Sequence, residues 1–531
     1  MGQVKLDCKY ILQQVFWICA LGVIVFLSCR AFVDPQITPK WIAFISLGLV
    51  VLMRFAICVI LRPNDLRVFP DMRIVQNSIS VVLLALSIYG ILQHLGVLRS
   101  DAVFKVVGRY DNPAGFAATL CVGLPFIMYG TLSKNRFVRY LNLAVFALAS
   151  VAVLLSHSRA GLVTMLVVWI IGGHRFITKR VVMKWLFVVI WCSILLAIMY
   201  VKLDSASGRM LIWNCTWEMI SDRLIAGYGL GGFEANYMDW QAAFFQQHPD
   251  SKYVMLADDV QYPFNEYLYV MSMFGVVGLL VVFGWIGFMV WRYWRNRSEE
   301  RRAAILSIVA VCVFALFSYP SMYPFIWFAL IYSSAVLLSD LSSLEKRSLG
   351  YRSVLAAVLV VTSIFVSIRL YGYVKSETNW CATVMGFEKD EALLDKYEEL
   401  YDRMSGNRYF MYNYAYVLYQ QQHFDDARII ASECRDLWAD YDLEILQGMI
   451  ELKDENYSLA KKHFKYAGYM CPNRFRPLFL LLKIYELQGE DEMIYSMAEQ
   501  IVHKERKVSS TEVSRIIRYA NNVLDKYNNG R

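Results

Sequence analysis

Eleven apolar runs recur through the first 371 residues, most of them long enough to cross a hydrocarbon layer about 30 Å thick, and they leave this chain one kind of fold. Backbone polar groups in lipid find no water, so such runs must close their hydrogen bonds internally, as helices. The runs fall at 11–29, 41–61, 78–98, 114–131, 138–156, 160–173, 185–202, 267–291, 303–320, 324–339 and 353–371. The expected class is all-α and polytopic, with about 11 transmembrane helices. The first run follows Lys5 and Lys9 but precedes no small-residue cleavage site, which predicts an uncleaved first helix.

Charge divides the chain in two. Residues 1–372 hold 32 Lys+Arg against 19 Asp+Glu, whereas the last 159 residues hold 21 against 26. The net charge of +8 therefore belongs to the apolar part, where basic loops on the cytoplasmic face explain it better than nucleic acid binding does. With the N-terminus inside, Arg62/Arg67/Arg73, Lys134/Arg136/Arg139, Arg175/Lys179/Arg180/Lys184, "RYWRNRSEERR" and Lys346/Arg347/Arg352 all fall on that face. The opposite face then receives the loop at 99–113, a polar break at 156–159, a large loop at 203–266 and the whole C-terminal segment. These expectations divide the chain into a transmembrane domain over 1–371 and a periplasmic helical domain over 372–531. The cysteines are scattered without a CxxC pair, so neither a metal knuckle nor a disulfide framework is signalled.

The C-terminal segment reads as helical repeats. "ADYDLEILQGMIELKDENYSLAKKHFKYAGYMCPN" places Gly448, Ala460, Phe464, Ala467 and Pro472 where a tetratricopeptide (TPR) repeat places its small and packing residues. Ala415 and Ala427 repeat part of this pattern upstream, and "FRPLFLLLKIYELQGEDEMIYSMAEQIV" repeats it downstream. Such an array is either a plain stack of hairpins or a docking surface for a periplasmic protein.

Polar groups interrupt the apolar part at few places. "LLSHSRAGLV" sets Ser156, His157, Ser158 and Arg159 between two apolar helices, where arginine is expensive. Arg159 is either a snorkelling anchor at a helix end or part of an anion pocket. The large loop adds Arg209 in an apparent amphipathic helix whose Leu211, Ile212, Trp213 and Trp217 suit a membrane interface. It also adds "GYGLGGF", whose glycines permit tight turns and close backbone approach to a ligand. "GRYDNPAGFAATL" brings Arg109 and Asn112-Pro113 to the outer mouth of the fourth span, and "YPFNEYL" brings Asn265 and Glu266 to the start of the eighth.

Together, "SHSRAG" after an apolar helix, then "GR" and Trp, "GYGLGGF", "NEYL" with "FGVVGLL", and "NPAGFA" resemble the O-antigen ligase family, which includes O-antigen polymerases and bacterial protein O-oligosaccharyltransferases. The resemblance covers about residues 100–340. It implies the membrane-embedded glycosyltransferase (GT-C-like) fold, located in a bacterial inner membrane. It further implies transfer of a glycan from undecaprenyl diphosphate to a lipid or protein hydroxyl at the periplasmic face, with no metal, nucleotide sugar or other cofactor. The site it suggests has Arg159, Arg209 and Glu266 as catalytic residues and Arg109, His157, Ser158, Asn265 and Gly229 as substrate-binding residues.

The chemistry agrees with that set. Breaking the bond from sugar C1 to phosphate leaves charge on a diphosphate, which fixed guanidinium groups stabilise through bidentate contacts. The one Asp-x-Asp, Asp440-Tyr441-Asp442, lies in the repeats, where residues two apart do not share a helix face. The chain departs from the family before Asn265, where a His is commonly found and Phe264 stands here. Substitutes for a general base are Glu266, His157 and His248. Glu266 also suits a structural place at a helix start, and His248 that of an exposed loop residue. A polymerase would use the same donor, and a lipid-linked glycan transporter or a scaffold for glycan assembly are readings from other classes. The polar motifs gather at one membrane face and the two halves show no internal similarity, which favours the enzyme over the transporter.

Overall fold

The computed structural model describes residues 8–61, 69–100, 102–173, 203–339, 348–385 and 392–529. Every regular element among them is helical. Ten of the eleven expected spans coincide with helices, and the run at 185–202 lies outside the described residues. The chain divides into two compact units. Unit 1 comprises residues 1–201, 264–266 and 281–386, and unit 2 comprises 202–263, 267–280 and 387–531.

Unit 1 contains α1 (Cys8–Phe26), α2 (Thr38–Leu61), α3 (Met72–His94), α4 (Pro113–Gly130), α5 (Arg136–Leu155) and α6 (Arg159–Gly173). Of these, α4 is the core: Phe116, Leu120, Leu124, Phe126 and Ile127 are all fully buried. An all-round apolar helix has no solvent face and belongs in the middle of a bundle. Small residues let its neighbours close on it. A Cβ on Gly123 would fall 2.2 Å from Leu83 Cδ1 of α3, and one on Gly130 would fall 2.5 Å from Asn142 Oδ1 of α5. Asn142 also binds Gln76 at 2.9 Å and Ser80 at 2.7 Å, so the only polar groups at this crossing satisfy one another.

Unit 2 opens with α7 (Leu203–Asp222) and α8 (Gly232–Gln247), which form in the large loop. Helix α9 (Glu266–Arg295) gives Tyr267–Leu280 to unit 2 and the rest to unit 1. Unit 1 is completed by α10 (Glu299–Ala315), α11 (Pro324–Leu338) and α12 (Leu349–Met385). Helix α10 starts four residues before its apolar run, because the Ser298 hydroxyl caps it by accepting the Arg301 amide at 3.2 Å. Outward faces of α2 and α12 carry Val50, Ile57, Val358, Ile364 and Phe365 in exposed positions, as lipid contact requires.

Helix α12 has 37 residues, about 55 Å at 1.5 Å per residue, nearly twice a hydrocarbon layer. The boundary expected at 371/372 therefore falls inside a helix. Its apolar run stops near Tyr371, but Ser376, Glu377, Trp380 and Cys381 are buried in unit 1 and carry the helix on to Met385.

The rest of unit 2 is a stack of hairpins: α13 (Leu393–Met404), α14 (Arg408–Gln420), α15 (Phe424–Leu437), α16 (Tyr441–Lys453), α17 (Tyr457–Met470), α18 (Arg476–Gln488), α19 (Asp491–His503) and α20 (Thr511–Asn529). The TPR-like spacing is real packing. A Cβ on Gly448 would meet Phe464 Cε1 at 2.4 Å, and Ala460, Phe464 and Ala467 are fully buried. Large loop and repeats, expected as separate features, form one body. Gln241 of α8 is fully buried and donates to Met470 O at 2.7 Å and Asp258 O at 3.0 Å. Asn473 donates to Ala257 O at 2.5 Å, the Ala439 amide donates to Glu234 O at 2.9 Å, and Arg435 joins Asp239 to Glu444.

Candidate active site

The polar break at 156–159 has a local cause. The Ser156 hydroxyl donates back to Val153 O at 2.7 Å, His157 turns into the left-handed region at φ 53°, and the Ser158 hydroxyl accepts the Gly161 amide at 3.3 Å. Helix α6 is thus capped by Ser158 and begins on Arg159. Ser158 is buried in this capping place, His157 is exposed and Arg159 is half-buried. A non-glycine residue at positive φ costs energy and persists where its surroundings hold it. The amides and dipole of the α6 N-terminus add to the guanidinium charge there.

Close packing sets the level of Arg159. A Cβ on Gly161 would lie 2.6 Å from Ala117 Cβ, and one on Gly172 would lie 2.9 Å from Met128 Sδ. Both pairs are 44 residues apart, so α4 and α6 run parallel in a fixed register and start at the same end of unit 1. In that register Arg159 is level with Gly115. Asp111 stands two residues before the start of α4 at Pro113, ahead of the extended cap residue Asn112.

The start of α4 is built from residues far apart in the sequence. Asn112 Oδ1 accepts the amides of Ala114 at 2.8 Å and Gly115 at 3.1 Å, while Pro113 takes the first helical position. Asn112 Nδ2 donates to Asp111 Oδ2 at 2.8 Å and to Tyr319 OH at 2.9 Å, and Tyr323 OH donates to Asp111 Oδ1 at 3.3 Å. Ring centroids lie 5.4 Å apart for Tyr110 and Tyr323, 6.4 Å for Tyr319 and Tyr323, and 5.5 Å for Phe264 and Tyr319. Gly115 is required here, since a Cβ would fall 2.5 Å from the Tyr323 ring.

Arg109 is half-buried just before this cluster, on a loop held at two points. Buried Gln93 accepts the Val107 and Gly108 amides and donates to Gly108 O. Fully buried Lys40 donates to Leu27 O at 2.9 Å, Gln36 O at 2.5 Å and Arg109 O at 2.8 Å. Burial pushes the Asp111 carboxyl above the usual carboxylate range, opposed by its own backbone amide and by Tyr323 and Asn112.

Phe264, where the family commonly has His, is in the left-handed region at φ 53°. Asn265 is half-buried directly before α9. The next residue, Glu266, uses one oxygen, Oε1, to accept the Ser321 amide at 3.0 Å and the Ser321 hydroxyl at 2.5 Å. Trp327 donates to Ser321 O at 2.8 Å and Trp41 to Met322 O at 3.0 Å, so Glu266 belongs to the framework that fixes the turn carrying Tyr319 and Tyr323. Unit 1 therefore brings Arg109, His157, Ser158, Arg159, Asn265 and Glu266 into one body, whereas Arg209 and Gly229 belong to unit 2.

In unit 2, α7 buries Leu211, Ile212, Cys215 and Met219 against protein, and Trp213 Nε1 donates to Pro263 O at 2.8 Å. This corrects the expectation that one apolar face of α7, including Ile212 and Trp213, lies along the membrane; Met210 and Trp217 are its exposed apolar residues. In the glycine loop Gly227 approaches the chain itself, a Cβ there falling 2.5 Å from Met273 O, whereas a Cβ on Gly229 or Gly231 would meet nothing within 4 Å. Helix α9 breaks at Gly275, with φ 60° and ψ −159°. The groups released there are taken up by residues 224–229: Tyr228 N to Ser272 O at 2.9 Å, Gly229 N to Met273 O at 2.8 Å, Val276 N to Leu224 O at 2.9 Å and Val277 N to Ile225 O at 3.4 Å. The Gly229 amide is spent in this ladder. Non-helical backbone within an apolar helix needs such partners from protein.

His248 stacks on Phe244 at 4.8 Å in unit 2. Asp440 of the Asp-x-Asp caps α16 by accepting the Asp442 and Leu443 amides. Among the described residues no group of three or more His, Cys, Asp or Glu is arranged to hold a metal ion. Sequence reasoning missed Asp111, Tyr319, Tyr323, Ser321 and Lys40. A signal existed only for Asp111, which stands beside the Asn112-Pro113 helix start.

No curated protein matches the chain. Among solved structures, yeast Tom70 aligns at 10% identity over 98% of this chain and 96% of that chain, with a TM-score of 0.25 that defines no common fold. Residues 144–283, the stretch from α5 into α9 that holds Arg159, Arg209, Gly229 and Glu266, match the family model described as O-antigen ligase.

Proposed function

We propose that this multi-pass membrane protein transfers a glycan from undecaprenyl diphosphate to a lipid or protein hydroxyl at the periplasmic face of a bacterial inner membrane, by direct displacement with inversion. The match of residues 144–283 to the O-antigen ligase family model supports membrane glycosyltransferase chemistry in general. The finer reading rests on one observation above all: Arg159 starts a capped helix that runs parallel to α4 from the same end of unit 1, and at the α4 start Asn112, Asp111 and two tyrosines form a hydrogen-bonded cluster. A guanidinium at a helix N-terminus suits a departing diphosphate, because both place positive charge where negative charge develops. Arg109 lies on the adjoining loop as a second cation. No step requires a metal ion.

Acceptor presentation is assigned to unit 2, whose repeats are locked to the large loop through Gln241, Asn473 and Arg435. Deleting the gene tests the proposal. Full-length glycan left on undecaprenyl diphosphate, with bare acceptors, is the expected result. Normal acceptors would contradict it, and accumulation of single repeat units would identify a polymerase instead.

A further inference from the structure

Direct displacement at an anomeric carbon needs a group to take the acceptor's proton. Four carboxylates or imidazoles are the obvious candidates, and three fit poorly. Glu266 Oε1 receives two hydrogen bonds from Ser321 and anchors a turn. His157 adjoins Ser158 on the strained turn leading into Arg159, on the side assigned to the diphosphate. His248 stacks on Phe244 and sits by its carbonyl in unit 2.

Asp111 differs on each count. One oxygen accepts from Asn112 and the other from Tyr323, so the carboxylate is fixed in orientation while each oxygen keeps a lone pair. Its carboxyl is partly covered by Tyr323 and Asn112, yet the residue keeps an exposed edge that an incoming hydroxyl can reach. Beyond Asn112 the half-buried rings of Tyr319 and Phe264 lie with centroids 5.5 Å apart, a surface on which the apolar face of a sugar ring can lie. The charged groups that bear on it are Asp34 and Lys40.

We propose that Asp111 is the proton acceptor of the transfer reaction, an inference that rests on the transferase reading above. The acceptor O–H bond breaks and its proton passes to an Asp111 oxygen. The acceptor oxygen forms the new bond to C1, and the C1–O bond to phosphate breaks, its electron pair leaving on the diphosphate. The proton then returns to solvent through the exposed edge of the carboxyl. Tyr323 and Asn112 are positioning residues that aim the carboxylate. Lys40 acts one step further out by fixing the Arg109 carbonyl.

The test uses the full chain in lipid nanodiscs, with donor and acceptor membranes extracted from cells lacking the gene. Asp111→Asn keeps an oxygen for Tyr323 and should fold as wild type. Its kcat is expected to fall about 100-fold or more with KM changed less than about threefold, and Asp111→Glu should recover part of the rate. The wild-type rate should fall with acidification as the raised Asp111 group protonates, and Asp111→Asn should lose that limb. A kcat within about threefold of wild type, a loss confined to KM, or an unchanged acid limb would overturn the inference. An inactive Arg159→Lys beside an active Asp111→Asn would refute Asp111 alone, whereas a wild-type chain that transfers nothing would refute the transferase reading itself.

Discussion

Arg159→Lys is expected to lower glycan transfer roughly 100-fold while the protein inserts and folds normally, the loss usual when one fixed donor to a developing charge is removed. Lysine keeps the positive charge and a long apolar stem, so the cost of placing the side chain near the membrane changes little. What it lacks is the planar fork that can hold two phosphate oxygens at once. The helix cap should persist, because Ser158 and the Gly161 amide make it without the residue 159 side chain. Release of undecaprenyl diphosphate from reconstituted protein measures the effect. Wild-type release would remove Arg159 from the site and reduce it to an anchor at a helix end.

Gly275→Ala is the second large effect, and it acts on stability. At φ 60° and ψ −159° the backbone occupies a region that L residues avoid, and a Cβ there would fall 2.1 Å from Ile225 O. Neither Ile225 nor Leu224 can yield readily, since their carbonyls accept the Val277 and Val276 amides. The expected cost is on the order of 3–5 kcal/mol, which combines a strained conformation with a broken four-bond ladder. Thermal unfolding in detergent should show a large drop in Tm, and transfer should fall with it if the ladder positions α7 and Arg209. Gly284→Ala is the control, because a Cβ at Gly284 meets nothing within 4 Å. Equal melting of the two variants would contradict this account of the glycine loop.

The spans were legible because lipid leaves an apolar run little choice but helix. Their ends were not, since hydropathy does not report caps or polar helix. Ser298 starts α10 ahead of its apolar run, and buried Ser376 and Glu377 extend α12 beyond its own. The repeats were legible because small residues at fixed spacing have one packing meaning, as Gly448 against Phe464 shows. At the site, "SHSRAG" announced itself by placing polar residues in an apolar context. Asp111, Tyr319 and Tyr323 are ordinary residue types, and Asn112 and Tyr319 are separated by 207 residues, so only folding brings them together. In "GYGLGGF" the close approach of Gly227 is to the broken helix at Met273, a partner that lies 46 residues on in the sequence. A break at "FGVVG" could have been suspected from its two glycines, but not that the earlier loop would fill it.

The central claim is that the common end of α4 and α6 receives the diphosphate of a lipid-linked donor. Electron cryomicroscopy of the full chain in nanodiscs containing undecaprenyl diphosphate tests it most directly. The account predicts diphosphate density against the α6 N-terminus, in contact with the Arg159 guanidinium and on the same side of the bundle as Asp111. Diphosphate bound elsewhere, with Arg159 turned toward lipid headgroups, would contradict it.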